Sequence, residues 1–401
     1  MLGLLSFLGG VIAALDKRMG VFARLAATVD LSTTKRYPKG GTMRMRSASR
    51  SAIAIAAAST MWATLGPHEQ QHKHGLLPYG GLQAQGAPRQ NEPGQRGAES
   101  NEPHTTKEQF DRWMAQLSNW GRWGKDDQLG AVNLITPAKR KQAAALMKTG
   151  TVVSLGHPLI TEKALDSPSP FAITKVAISD QNEWETDRLE MDYHGWTFTH
   201  LDALCHYAYR GKMYNDLPFK EIVTASGCSK MGVTGLKDGI VTRAVLLDIP
   251  RLKGLPYLEP KTRVYLKDIE AWEKLAGVKV SPGDAILLRT GRWARRASVG
   301  AFRDVAGFDA SVVPFLKERD VALVGSDAVS DVEDPRTFPG VSYPIHRFAL
   351  VALGAPLIDN LDLETLAETA ARLKRWEFFF MAVPVPVTNG SGSPINPIAV
   401  F

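Results

Sequence analysis

From residue 105 onward, apolar and polar positions fall into short segments whose spacing predicts strands alternating with helices. Residues 241–247, 285–288 and 321–324 are short runs rich in β-branched or aliphatic residues. Such runs are too short for buried helices and read as strands enclosed on both faces. Residues 267–275, 312–318, 345–353 and 363–374 read as helices. Thr136-Pro137 supplies an N-cap followed by proline at the first helical position and opens a further helix through Leu146. Residues 376–385 are too continuously apolar for a surface helix, and Pro384 and Pro386 end them, so a late core strand fits better. The alternation indicates an α/β domain over 105–401, a mixed sheet with flanking helices.

The first hundred residues have a different pattern. Residues 1–15 are apolar without a basic start. Met43-Arg44-Met45-Arg46-Ser47-Ala48-Ser49-Arg50 then precedes an Ala/Ile run over 52–58. A basic segment before a short apolar one is the layout of a secretory signal. Two locations stay open: periplasmic or secreted, and cytoplasmic. Residues 64–104 are rich in Gly, Pro, Gln, Asn and His. They cannot bury enough apolar area to offset their ordering entropy and read as a disordered linker, with His68, His72 and His74 solvated in it. Residues 1–104 are thus an N-terminal extension holding a candidate signal region and a linker.

Composition narrows the function. Apolar residues make up 44% of the chain and charged residues 22%, ordinary for a globular protein. The net charge of +7 is concentrated in residues 1–104, which hold 12 Lys+Arg against 6 Asp+Glu; residues 105–401 hold 36 against 35. A near-neutral folded part argues against nucleic acid as a partner. No window of about 18 purely apolar residues exists, so a membrane-spanning helix is not expected. Two cysteines, Cys205 and Cys228, exclude a disulfide framework and a Cys-rich zinc module. They read as free thiols, with a single disulfide as the alternative.

The chemistry concentrates in Thr199-His200-Leu201-Asp202-Ala203-Leu204-Cys205-His206, with His194 close by. Imidazole and carboxylate are ligands that divalent metals prefer. In an extended chain the even-numbered His194, His200, Asp202 and His206 share one face. At ~3.3 Å per residue, His200 and Asp202 stand about 6.6 Å apart and can reach one ion. His200 and His206 would stand ~20 Å apart, too far for one site. A switch from strand to helix near Asp202 removes the conflict, because Asp202 and His206 then stack at i and i+4. Leu201, Ala203 and Leu204 are apolar, so the cluster is buried, and a cation would compensate it. Further ligands are expected from His346, at the start of a helix, and from Asp359, delivered by Leu357-Ile358 as at a strand terminus. Trp196, Phe198, Tyr207 and Tyr214 surround the motif and line either an aromatic pocket or the core.

These pieces together resemble the metal-dependent cyclase family of hydrolases, which includes bacterial kynurenine formamidase and isatin hydrolase. That family carries His-x-Gly-Thr-His-x-Asp-x-Pro-x-His, and Thr199, His200, Asp202 and His206 match it position for position. Gly325-Ser326-Asp327-Ala328-Val329-Ser330-Asp331, His346 and Ile358-Asp359-Asn360-Leu361 are similar to its downstream half. Trp120-Gly121-Arg122-Trp123-Gly124-Lys125-Asp126-Asp127-Gln128-Leu129-Gly130 resembles the entry segment of a longer branch. The likeness runs from about 110 to 401. In four places the chain departs from the pattern: Trp196 at the first motif His, Phe198 at the Gly, Leu204 at the Pro, and Asp359 for the usual Glu. Either His194 substitutes for the first His or that ligand is lost.

The resemblance implies a swivelling β/β/α-type fold and hydrolysis of an amide or cyclic amide, such as an aryl formamide or isatin. It implies Zn²⁺ or Mn²⁺ held among His194, His200, Asp202, His206, His346 and Asp359. His206 and His346 are the candidates for proton transfer. An arylformamidase of this kind would act in tryptophan catabolism as a homo-oligomer on a small-molecule amide. Two other readings stand beside it. His200-x-Asp202 with His346 also fits the facial triad of non-haem iron oxygenases, and a non-catalytic metal-binding homologue would keep the site without turnover. Cys205 as a nucleophile beside His206 is disfavoured, because adjacent side chains on a strand face opposite ways.

Overall fold

The structure is a computed structural model that describes residues 105–179, 181, 183–332 and 340–401. The proposed signal region and linker lie outside these residues. Nine strands form one mixed sheet: β1 (Val152–Ser154), β2 (His200–Asp202), β3 (Ile240–Asp248), β4 (Ala285–Arg289), β5 (Leu323–Ser326), β6 (Leu357–Asp359), β7 (Glu377–Ala382), β8 (Gly392–Pro394) and β9 (Ile398–Val400). Their order is β1-β9-β7-β3-β4-β5-β6-β2-β8. The inner four, β3-β4-β5-β6, are parallel, and the strands on either side are antiparallel.

The short aliphatic-rich runs form the parallel centre because that is the one place where both faces of a strand are covered. All five residues of β4 are buried, as are eight of the nine in β3. Helices α1 (Lys107–Gln116), α2 (Pro137–Ala144), α3 (Leu266–Ala276), α4 (Arg292–Val299), α5 (Val313–Glu318) and α6 (Glu364–Leu373) surround it. Thr136 caps α2 as expected, its hydroxyl accepting from Lys139 N at 3.2 Å. The helix stops at Ala144 rather than Leu146.

The expected helix over 345–353 starts as α-helix at Pro344–His346 and continues as π-helix over Arg347–Leu353. Its last carbonyls are buried and need donors. The entry segment supplies them: Asn119 N donates to Ala352 O at 2.8 Å, Asn119 Nδ2 to Leu353 O at 3.0 Å and Trp120 Nε1 to Val351 O at 2.6 Å. This packing anchors the C-terminal end of the segment that begins at His346.

The two cysteines form a disulfide, contrary to the free-thiol reading. It ties the turn beside His206 to the short hairpin ending at Cys228, and it removes Cys205 as a nucleophile. No helix among the described residues is long and apolar enough to cross a membrane.

Candidate metal centre

Strand β2 carries His200 and Asp202 at the antiparallel end of the sheet. It is paired with β6 so that His200 faces Asp359 across the ladder. On its other side Gly392 lies opposite Asp202. A Cβ on Gly392 would stand 2.2 Å from Leu201 O, so only glycine lets β8 close onto β2. After Asp202 the chain turns into a 3-10 helix over Leu204–His206. The switch predicted from spacing is therefore present, as a tight 3-10 turn rather than an α-helix. The one-face prediction fails for His194: the strand is only three residues long, and His194 reaches the site from the bend before it.

Asp202 is the hub. Its Oδ1 lies 2.9 Å from His194 Nδ1 and 3.5 Å from His200 Nε2, and its Oδ2 lies 3.5 Å from His346 Nε2 and 3.8 Å from His206 Nε2. His346 Nε2 also lies 3.1 Å from Asp359 Oδ2. All six candidates thus meet in one place. The rings of His194 and His206 stack at 3.9 Å. Ligand atoms of His194, Asp202 and His206 lie within 4.8 Å of one another, and so do those of His200, Asp202 and Asp359. Asp202 is common to both groups.

Three ligands are held from behind. His346 Nδ1 donates to Asp331 Oδ2 at 2.6 Å, which aims Nε2 at Asp202 and Asp359. Asp331 also accepts from the backbone N–H groups of Ile345 and His346, so it fixes the helix start as well as the ring. His200 Nδ1 donates to Phe198 O at 2.8 Å, turning Nε2 inward. Ser330 Oγ donates to Asp359 Oδ1 at 3.1 Å. Asn360 ties the surrounding loops together by donating to Gly195 O and Phe198 O, while the buried Arg292 guanidinium donates to its Oδ1.

Burial alone would raise the Asp202 carboxyl, but the imidazoles of His206 and His200 and the contacts with His194 and His346 outweigh it. They hold the group well below the usual carboxylate range. Burial would lower His346, yet Asp359, Asp202 and Asp331 around it push it well above the ordinary imidazole value. His206 is lowered to about 4, chiefly by burial and further by the neighbouring imidazoles, against the pull of Asp202.

The donor set suits a divalent metal. Asp202 Oδ1 is fully buried and accepts no hydrogen bond of good geometry, although imidazole nitrogens face it from two sides. Buried carboxylate oxygens in folded proteins have partners. A cation between these nitrogens and oxygens would provide one.

The aromatic residues divide. Phe198 and Tyr214 are buried core, Tyr214 donating to Asp127 Oδ2, so neither lines the site. Tyr207 stands 5.2 Å from the His346 ring, and Tyr343, which sequence reasoning did not single out, stands 5.7 Å from it. Trp196 packs with Phe302 and Tyr343 against Val305, Ala328 and Val329. Asp331, Ser330 and Asn360 lay in segments similar to the family, but nothing in the sequence gave them a partner.

Residues 153–331 match the family described as "Putative cyclase". A solved structure described as a novel cyclase is 31% identical, covering 71% of this chain and 99% of its own, with a TM-score of 0.64. The chain belongs to the cyclase family. Isatin hydrolase A of Labrenzia aggregata is similar at 19% identity, with 65% of this chain and 97% of that one covered and a TM-score of 0.48. Isatin hydrolase A of Ralstonia solanacearum is similar at 23%, with 66% and 98% covered and a TM-score of 0.46. No curated protein matches the chain. The cyclase structure sets the fold, a mixed sheet with flanking helices.

Proposed function

We propose that this cyclase-family protein is a metal-dependent hydrolase that cleaves the C–N bond of a small amide or cyclic amide, of aryl formamide or isatin type. The convergence of His194, His200, His206, His346 and Asp359 on or beside one buried carboxylate, Asp202, carries the reading. His194, Asp202 and His206 would hold one Zn²⁺ or Mn²⁺, and His200, Asp202 and Asp359, with His346 beside them, offer ligands toward a second position. A bound ion of this kind supplies Lewis acidity, bringing the pKa of water toward ~7 and polarising a carbonyl.

The chain supplies the rest. His206 is part-exposed, and its depressed pKa leaves it neutral at pH 7. Where His206 is not itself bound to an ion, its neutral imidazole can take a proton from the attacking water and return it to the departing nitrogen. Asp331 fixes the His346 ring. An iron-oxygenase reading would use His200, Asp202 and His346 alone and leave His194, His206 and Asp359 without a part.

The test is elemental analysis of the purified full-length chain, followed by a panel of aryl formamides and isatin with Zn²⁺ or Mn²⁺ restored after chelation. About one or two ions per chain and metal-dependent release of a carboxylate are expected. Stoichiometric iron with no hydrolysis would move the assignment to an oxygenase. Metal binding without turnover of any amide would leave the non-catalytic reading.

A further inference from the structure

One histidine of the site is turned the other way round. His200, His206 and His346 each present Nε2 to Asp202. His200 and His346 turn Nδ1 back to Phe198 O and to Asp331. His194 does the reverse: its Nδ1 lies 2.9 Å from Asp202 Oδ1, and its Nε2 lies 3.0 Å from Ser391 Oγ. Its ring comes from the bend before β2 and not from the motif position that Trp196 occupies.

The segment entering β8 decides which nitrogen of His194 carries the proton. Tyr193 Oη donates to Gly392 O at 3.0 Å, and a carbonyl can only accept. The Tyr193 oxygen is thereby left to accept, and the Ser391 hydroxyl is hydrogen-bonded to it. With its one hydrogen given to Tyr193, Ser391 Oγ can only accept from His194. The proton of a neutral His194 ring therefore sits on Nε2, and the Nδ1 lone pair is left facing Asp202. Two acceptors 2.9 Å apart repel unless a cation draws both, in keeping with the lack of a well-formed hydrogen bond to Asp202 Oδ1. The surroundings fit the arrangement. Ser391 O accepts from the N–H of Ala203, the residue after Asp202, at 2.8 Å, so the serine is fixed to the hub. Gly392 pairs with Asp202, and a Cβ there would stand 3.0 Å from His194 Cε1, so the glycine also makes room for the ring. Tyr193 packs on that ring with centroids 4.4 Å apart.

We propose that Ser391 is a positioning residue for His194. Through the relay from His194 to Ser391, Tyr193 and Gly392 O, it holds the imidazole as the Nε2–H tautomer. His194 then serves a metal through Nδ1, in place of the histidine that the chain lacks at Trp196. The inference rests on the metal-dependent reading proposed for the site, and it adds which nitrogen binds and what aims it.

The experiment follows the imidazoles of the ¹⁵N-histidine-labelled full-length chain by long-range ¹H–¹⁵N NMR, before and after Zn²⁺ is added to chelated protein, with His194→Asn identifying the His194 signals. A His194 ring protonated on Nε2 is expected. On Zn²⁺ binding its Nδ1 signal should move, where His200 and His346 respond at Nε2. In a chelator competition, Ser391→Ala should weaken Zn²⁺ binding by about 10- to 100-fold, the range for partners behind a ligating imidazole. Ser391→Thr keeps the hydroxyl and should restore most of the loss. Melting of the metal-free variants separates this from loss of fold, and the wild-type spectrum decides by itself if Ser391→Ala does not fold. A His194 proton on Nδ1 in the loaded protein overturns the inference. A folded Ser391→Ala that binds Zn²⁺ as tightly as the wild type also overturns it, and leaves the metal-dependent reading intact. A wild type that takes up no ion overturns that reading, and this inference falls with it; uptake is measured before any nitrogen is assigned, so the two failures are distinguishable.

Discussion

Asp202 decides the chemistry at the scale of single residues. It is the carboxylate that His194, His200, His206 and His346 all approach, and truncating it leaves buried imidazoles without their counter-charge. Asp202→Ala is expected to abolish both hydrolysis and metal retention with the fold intact; a variant that keeps its metal and full turnover would remove the hub. Asp331→Ala tests the support behind His346. Outer partners of a ligating imidazole are worth about 10- to 100-fold in metal affinity or activity, and a metal titration should show a loss in that range. The six candidate ligands were legible because imidazoles and carboxylates are rare on an apolar segment such as Leu201-Asp202-Ala203-Leu204. Asp331 was not, since its role depends on a pairing with His346, 15 residues on, that no sequence pattern reports. Tyr343 was missed for the same reason.

Among the elements, the parallel strands were readable because burial on both faces leaves an aliphatic signature, as in residues 285–288. The π-helix was not, because a shift from i−4 to i−5 hydrogen bonding changes no side-chain type. His194 escaped the strand for want of pairing: a three-residue β2 matches the three residues that β6 and β8 offer it. The disulfide is the element-scale correction. Two cysteines 23 residues apart carry no signal by themselves, and only the return of the chain at Cys228 brings them together. The loop they close is worth about 3 kcal/mol in chain entropy. Cys205→Ser/Cys228→Ser should lower the free energy of unfolding by about that amount in a denaturant titration, and an unchanged midpoint would show that the crosslink contributes nothing. Gly392→Ala should cost more than a surface glycine change, since its Cβ would meet Leu201 O; an unaltered melting temperature would show that β8 can move aside.

For the whole molecule, a sheet that gathers three buried carboxylates and four imidazoles, two of them buried, at one end carries a local charge imbalance unless something balances it. Binding to the folded state alone stabilises by mass action, about 4 kcal/mol when the free ion stands 1,000-fold above its dissociation constant. Chelation should therefore lower the melting temperature and Zn²⁺ or Mn²⁺ should restore it, while a chain indifferent to both would hold no ion at this end of the sheet. The fold class was legible from the alternation of runs, but the strand order was not. β2 lies at the middle of the chain and pairs between β6 and β8 near its end, and a hydrophobic pattern reports burial rather than neighbour. The family likeness supplied the architecture where periodicity stopped.

The shared position of Asp202 in both ligand groups has a thermodynamic corollary. One carboxylate cannot serve two cations as if each were alone, because the first to arrive alters the charge and the geometry seen by the second. Occupancies at the two positions are then linked, and linkage is reciprocal: whatever factor the first ion imposes on the affinity of the second is returned in full. Loading followed by calorimetry would give two unequal steps whose spacing measures the coupling, and Asp202→Asn, which removes the shared charge, would weaken both steps.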